Sequence, residues 1–331
     1  MTIKIIAEIG SVHDGSFGNA KNLIELAAKC GADIVKFQTH ISKYESTKNA
    51  PRPVFFKDEN RYDYFERTKF SFLQYKKLIQ IAKKNKVEFL SSPFSIEAVN
   101  FLEKLNLKKY KIPSGEVNNL PLIEKISKTK KEVFLSSGMS NLNELKIAYN
   151  ILKKNCKVTI LQCTSEYPCN LKNTGLNNIL SLKKKFKTEI GFSDHTIGNT
   201  ASIIAAYLGA TIIEKHFTFS KHMYGSDAKY GMEPDQFKIF VDKVRDAAIL
   251  KDNPVNKDIL PNNLIQMKKI FEKSIFIKNK IEKNKRIKLT DLEFKKPGDG
   301  IKAFDYKKII GLKLKKTLPS GSKLKKNDLK K

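Results

Sequence analysis

Residues 189–217 read EIGFSDHTIGNTASIIAAYLGATIIEKHF. Two short apolar runs, EIGFSDH and TIIEKHF, flank NTASIIAAYLGA, whose apolar residues recur at helical spacing. The stretch is therefore a strand, a helix and a second strand, the unit that makes two strands parallel. Each strand ends on a polar cluster with a histidine, His195 in one and His216 in the next. Neighbouring parallel strands point their ends the same way, so the two imidazoles can face one space.

Working outward, the same unit recurs. IKIIAEI, ADIVKFQT, VEFLSSP, YKIPSG, EVFLSSG and VTILQCT precede the two strands above, and NAKNLIELAAKCG, IEAVNFLEKLN and LNELKIAYNILKKN lie among them as amphipathic helices. Strands alternating with helices in this number predict a closed (β/α)8 TIM barrel over residues 1–252. An open doubly wound sheet is the alternative, but no Gly-rich phosphate turn follows the first strand. After Leu250 the pattern changes. KDNPVNKDILPNN is polar and broken by proline, which predicts a linker over residues 253–272. Residues 273–331 hold short strands and turns without a long helix, a β-rich module too small for a large core of its own.

Composition sets the class. The 331 residues are 40% hydrophobic and 10% aromatic, a globular balance. No apolar run approaches the roughly 18 residues of a membrane span, and the N-terminal strand lacks the layout of a signal peptide. Cys30, Cys156, Cys163 and Cys169 show no zinc-type spacing and read as reduced thiols of a cytoplasmic protein. The formal charge is +29. It comes almost wholly from lysine, with arginine only at Arg52, Arg61, Arg67, Arg245 and Arg286. Base and phosphate recognition favours arginine and no nucleic-acid motif is present, so the lysines read as solvated helix faces. The charge also suits an anionic substrate.

Barrel active sites gather at the C-terminal strand ends, and every such ending here is polar. They carry Glu8, then SVHDG; Lys36, Gln38 and His40; Ser91 and Ser92; Lys111, Ser114 and Glu116; Ser136 and Ser137; Gln162, Thr164 and Ser165; Ser193, Asp194 and His195; Glu214, Lys215 and His216. Singly, each has a plain structural explanation: serines cap helices, and a lone histidine is usually a satisfied one. Together they converge on one mouth. Two imidazoles suit Mn²⁺, Fe²⁺, Zn²⁺ or Co²⁺ with water or substrate completing the shell. Lys36, Lys111 and the serines supply cations and donors for phosphate or carboxylate. A metal beside an anion pocket suits a reaction that polarises a carbonyl while a phosphorylated partner attacks it.

The segments IIAEIGSVHDG, GADIVKFQTH, FLSSPFS, YKIPSGEVNNLPLI, LSSGMS, LQCTSEYP, IGFSDHT, EKHFT, MEPDQF and KKPGDGI occur in order along nearly the whole chain. In these the chain resembles the sialic acid synthase family, the N-acetylneuraminate synthases with their legionaminate and pseudaminate relatives. The resemblance implies a barrel joined to a small antifreeze-like (SAF) domain, in a domain-swapped homodimer. The implied reaction condenses phosphoenolpyruvate with an open-chain N-acyl hexosamine such as N-acetylmannosamine, giving a nine-carbon 2-keto acid and phosphate. A sister synthase using a diacetamido-trideoxy hexose is the alternative acceptor reading. The resemblance also implies site roles. His195 and His216 would hold the metal, usually Mn²⁺, with Mg²⁺ or Co²⁺ as other candidates. Lys36, Ser92, Lys111, Ser114, Ser136 and Ser193 would contact phosphoenolpyruvate. Gln38, Tyr167, Asp227 and Lys296 would serve the sugar, and Asp14 and Glu116 would be carboxylates near the reacting centre.

Several places depart from the family pattern: Ser92 stands where threonine is common, a change that keeps the hydroxyl. Asp14 stands where relatives have asparagine or glutamate, Ser165 where asparagine is common, and GSDAKYGMEP replaces the usual eighth loop. Lys296 stands where an arginine would hold the N-acyl group across the dimer. Two other classes remain open at this point: a Schiff-base aldolase using Lys111 or Lys215, and a polyanion-binding protein without catalysis.

Overall fold

The computed structural model describes residues 3–51, 59–225 and 227–331, so Arg52 and, within the eighth loop, Ser226 lie outside the described residues. Eight parallel strands form a closed barrel in chain order. They are β1 (Lys4–Gly10), β2 (Ile34–Thr39), β3 (Glu88–Pro93), β4 (Lys109–Ile112), β5 (Glu132–Ser136), β6 (Val158–Cys163), β7 (Ile190–Asp194) and β8 (Ile212–His216). β8 pairs back onto β1, with Glu8 beside His216. Covered by helices outside and filled inside, the strands are buried on both faces, which is why they read as short, nearly continuous apolar runs.

The two faces of each strand do different work. Outward residues such as Ile5, Ala7, Val35 and Phe37 join the large core shared with the helices. A separate buried cluster, Ile6, Ile34, Leu90, Phe134, Leu161 and Ile212, fills the barrel interior as an apolar plug. Side chains on a strand alternate between faces, so the next inward position lies two residues further on. Those positions are Glu8, Lys36, Ser92, Ser136, Cys163 and Glu214, every one buried. Register adds two more: Lys111 stands opposite Phe134, and Ser193 opposite Cys163. A polar ring thus sits directly on an apolar plug.

Helix capping accounts for some of the serines and leaves the ring alone. Ser16, Ser71 and Ser95 accept backbone N–H groups at the starts of the helices Phe17–Lys29, Phe72–Lys84 and Ile96–Lys104. Ser92 and Ser136 cap nothing, and their hydroxyls have no hydrogen-bond partner among the described residues.

The chain divides into two compact units, Met1–Pro254 and Val255–Lys331. The expected linker is not wholly irregular, because a helix runs over Asn262–Phe271 within it. The two prolines that suggested a break, Pro254 and Pro261, lie before this helix rather than inside it, where proline is tolerated. In the second unit β9 (Ser274–Ile277) pairs antiparallel with β10 (Leu292–Lys295), and β11 (Lys313–Leu314) with β12 (Leu329–Lys330). Ile275, Ile277, Ile287, Leu314 and Leu324 lead its small core.

Candidate active site

The polar ring floors a cavity of about 350 Å³ at the C-terminal mouth of the barrel. At its base two lysines and two carboxylates interlock. Lys36 Nζ lies 2.9 Å from Glu8 Oε2 and 3.8 Å from Glu214 Oε2. Lys111 Nζ lies 3.1 Å from Glu214 Oε1, and Ser193 Oγ donates to the same oxygen at 2.9 Å. Burial is the largest influence on the Glu214 carboxyl and pushes its pKa up, but Lys111 and Lys36 together hold it down at about 2. Glu8 goes the other way: burial outweighs Lys36, Glu214 adds repulsion, and its pKa rises. For Lys36, burial works against the charge, but Glu214 and Glu8 outweigh it and raise the pKa. The ring therefore contains one firmly ionised carboxylate and one whose pKa is raised by burial.

The two histidines stand at the top of β7 and β8, ring centroids 5.6 Å apart. His195 Nδ1 is 2.8 Å from the Thr164 carbonyl oxygen and donates to it. This leaves a lone pair on Nε2, to which the Tyr167 hydroxyl donates at 3.1 Å. His216 Nδ1 is buried with no hydrogen-bond partner. Burial, the leading cause, lowers the His216 pKa to about 4, so the ring is neutral at pH 7. Two imidazoles that line one cavity, one of them with a ring nitrogen that has no partner, fit a divalent cation. No group of three or more His, Cys, Asp or Glu side chains suited to a metal occurs among the described residues. The protein's own contribution is thus two imidazoles, and such a site would stay open to water or substrate.

Above the ring, Gln38, His40, Arg61, Phe65, Phe94, Tyr167, Asp227 and Tyr230 form the outer wall. Asp227 reaches back to β1, where Ser11 N–H donates to its Oδ2 at 3.4 Å. Gly10 has φ +53°, and a Cβ there would collide with the Asp227 carboxylate. Only glycine meets both conditions. Glu116 follows β4, and Asn119 Nδ2 donates to its Oε2 at 2.8 Å. Burial raises its pKa.

The structure brings together most of the residues singled out from sequence. Lys36, Gln38, Lys111, Ser114, Glu116, Ser136, Tyr167, Ser193, His195, His216 and Asp227 all line the one cavity. Ser92 is fully buried in the ring. Asp14 does not reach the cavity wall: its carboxylate is held 2.8 Å from Arg67 Nη2, and its backbone is left-handed at φ 49°. That conformation, which asparagine and aspartate tolerate best, explains the residue type without a proton-transfer role. Lys296 belongs to the second unit, where its ammonium lies 4.7 Å from the centre of the Phe271 ring. Lys215 points away from the cavity into a 3.0 Å ion pair with Asp194, which removes it as a nucleophile there. Glu8 and Glu214 were visible as polar strand endings without a role. Counting two residues on from the plug would have put both in the ring.

Comparisons with known proteins agree with this architecture. The NeuB family model matches residues 23–255 and the SAF domain model residues 272–330. The N,N'-diacetyllegionaminic acid synthase of Campylobacter jejuni subsp. jejuni is 40% identical over 316 residues, covering 93% of this chain and 94% of its own. The N-acetylneuraminate-9-phosphate synthase of Homo sapiens is 35% identical over 283 residues, covering 84% and 78%. The crystal structure of N-acetylneuraminic acid (sialic acid) synthetase from Leptospira borgpetersenii, in complex with citrate, superposes with a TM-score of 0.71 at 27% identity over 81% of this chain and 90% of its own. With a barrel and a small C-terminal unit each matched in place, this chain belongs to the NeuB family of sialic-acid-type synthases and ends in a SAF domain.

Proposed function

We propose that the protein condenses phosphoenolpyruvate with an open-chain N-acyl hexosamine and water, releasing phosphate and a nine-carbon 2-keto sugar acid. The observation that carries this reading is the buried ring in which Lys36 and Lys111 stand beside the unpartnered hydroxyls of Ser92 and Ser136. Buried polar groups without partners are rare, and here Ser136 lines the cavity with both lysines while Ser92 lies buried in the same ring. A molecule with a phosphate and a carboxylate uses all of them.

The chemistry follows from the charges. C3 of the enol attacks the sugar aldehyde, positive charge develops at C2, and water captures it before phosphate leaves. Lys36 and Lys111 hold the anionic ends of phosphoenolpyruvate, while Ser92, Ser114 and Ser136 donate to its oxygens; Ser193 joins them only by releasing Glu214. Glu214, ionised under both lysines, faces the developing cation. Glu8 and Glu116, whose burial favours the protonated form, suit proton transfer to and from the new hydroxyl groups. A divalent cation at His195 and His216, Mn²⁺ before Mg²⁺ or Co²⁺, would supply Lewis acidity at the aldehyde. Gln38, Tyr167 and Asp227 orient the sugar.

The acceptor is either N-acetylmannosamine or a diacetamido-trideoxy hexose, and the 40% identity with a legionaminic acid synthase supports the second at least as strongly. In the protein's working form, two copies exchange their SAF domains, so that Lys296 of one serves the sugar held by the other. No helix among the described residues is long and apolar enough to cross a membrane. The test is phosphate release from phosphoenolpyruvate with Mn²⁺ and a panel of hexosamines, product masses read alongside. A hexosamine that drives release and gains the mass of pyruvate identifies the acceptor. No release with any of them sinks the reading.

A further inference from the structure

Glu8 is tied to more than Lys36. Gln38 Nε2 donates to Glu8 Oε1 at 2.9 Å, and the other end of that amide, Oε1, lies 3.0 Å from His40 Nε2. On its far side His40 Nδ1 lies 3.0 and 2.9 Å from the two oxygens of Glu45. The imidazole is stacked between Phe65, 3.5 Å away by ring centroids, and Phe94, at 4.1 Å. The side chains of His40 and Glu45 are only 5% and 3% exposed. The titratable and charged groups facing the pair are Arg61, with Nη2 3.8 Å from Glu45 Oε1, Glu116 towards Glu45, and His13 and Asp227 towards His40.

Donors and acceptors can be counted along this chain. Ionised and paired with Lys36, Glu8 only accepts, so in that state the amide nitrogen of Gln38 faces it and the amide carbonyl faces His40. Nε2 of His40 must then carry a proton. Nδ1 faces a second acceptor, Glu45, so another proton lies between those two groups. The Glu45–His40 pair therefore holds two protons, whether the second sits on the ring or on the carboxyl. Removing one allows the ring to keep only Nδ1–H, and its bare Nε2 then calls for the amide to turn. The Gln38 oxygen would oppose Glu8.

We propose that His40, with Glu45 behind it, is a positioning residue: it sets which end of Gln38 faces Glu8 and so keeps an N–H donor on the carboxylate beside Lys36. This rests on the synthase reading for its kinetic consequences, but not for the proton count. His40→Phe keeps a flat ring between Phe65 and Phe94 and removes both N–H groups. It should lower kcat with saturating sugar about tenfold, the order expected for losing one hydrogen bond to a charged group, while the KM for phosphoenolpyruvate stays within about twofold. Glu45→Gln and Glu45→Leu separate positioning from packing. Glutamine can donate to Nδ1 and leave the proton on Nε2, so that variant should stay within about twofold of the parent. Leucine gives Nδ1 no partner and no longer fixes the rotation of the ring, so Nε2–H is not held on Gln38 and the variant should lose about tenfold.

Long-range ¹H–¹⁵N spectra of the histidine-labelled protein should show a proton on Nε2 of His40. An unprotonated Nε2, or equal rates for the glutamine and leucine variants, overturns the proposal. If His40→Phe does not fold, the two Glu45 variants decide. If the parent shows no condensation with any hexosamine, the synthase reading fails on its own and the spectrum still settles the state of His40.

Discussion

The floor and the outer wall of the cavity are built by different rules. The floor comes from strands: Glu8, Lys36, Lys111, Ser136, Ser193 and Glu214 occupy inward strand positions, each at most 5% exposed. The wall comes chiefly from the segments that follow the strands, with Arg61 and Phe65 on the helix Arg61–Thr68 after β2, Tyr167 after β6, and Asp227 and Tyr230 after β8. Barrel closure holds the floor rigid, whereas a loop residue can change without disturbing a strand register. Most departures from the family pattern fall outside the floor, the exception being Ser92, which keeps a hydroxyl where threonine is common. Asp14, Ser165 and the segment around Asp227 are all loop residues, and Lys296 is in the second unit. On the proposed reading, the floor serves the reaction and the wall serves the acceptor.

The sharpest way to break this division is at the two histidines on its border. Replacing His195 or His216 with alanine should cut turnover at least about a hundredfold, as loss of a metal ligand does. EDTA should do the same until Mn²⁺ is restored. Full activity of metal-free His195→Ala would remove the cation from the mechanism.

Next come the lysines of the floor. Lys36→Met and Lys111→Met keep the stem and delete the charge, and each should raise the KM for phosphoenolpyruvate about 10- to 100-fold. The KM for the sugar should move much less. Either change strands a buried carboxylate, at about 3–5 kcal/mol, so circular dichroism must first show a folded protein. A larger effect on the sugar would mean that floor and wall are exchanged.

Glu214 gives a smaller, pH-resolved effect. Its carboxyl titrates at about 2 in the folded chain against an ordinary 4.5, because Lys111 and Lys36 outweigh its burial. A depressed acid contributes stability that is complete above the ordinary value and declines as pH falls from about 4.5 towards 2. The melting temperature should drop through that window, and the Glu214→Gln variant, less stable at neutral pH, should lack this component. Parallel curves for the two proteins would show that the ion pairs add nothing.

The least effect belongs to the SAF domain. Lys296→Ala should raise the KM for the sugar a few-fold, since a lysine offers a charge without the planar fork of arginine, and leave phosphoenolpyruvate untouched. An equal rise for both substrates would detach this residue from the wall.

Much of the fold was legible because its signals are local. An apolar run followed by helical spacing marks a strand and its crossover within some thirty residues, and all eight strands lie within three residues of where those runs placed them. The helix over Asn262–Phe271 was missed because prolines before it masked an amphipathic stretch. At the site, His195 and His216 were legible from one strand–helix–strand unit. Asp14 was misleading, since a sequence shows that a carboxylate follows β1 but not that Arg67, on a helix 53 residues later, holds it aside.

Strand parity is a property of the chain alone, because side chains must alternate along any extended backbone. It already orders plug and polar ring on each strand: Ile6 then Glu8, Ile34 then Lys36, Ile212 then Glu214. Which of these residues meet is not local. Lys111 reaches Glu214 across 103 residues, and Lys36 reaches it too, only because β8 closes back on β1 and brings both ends of the barrel domain into one ring. That closure decides how the charges divide, since two lysines within 4 Å keep Glu214 ionised while Glu8, with one, is left to burial.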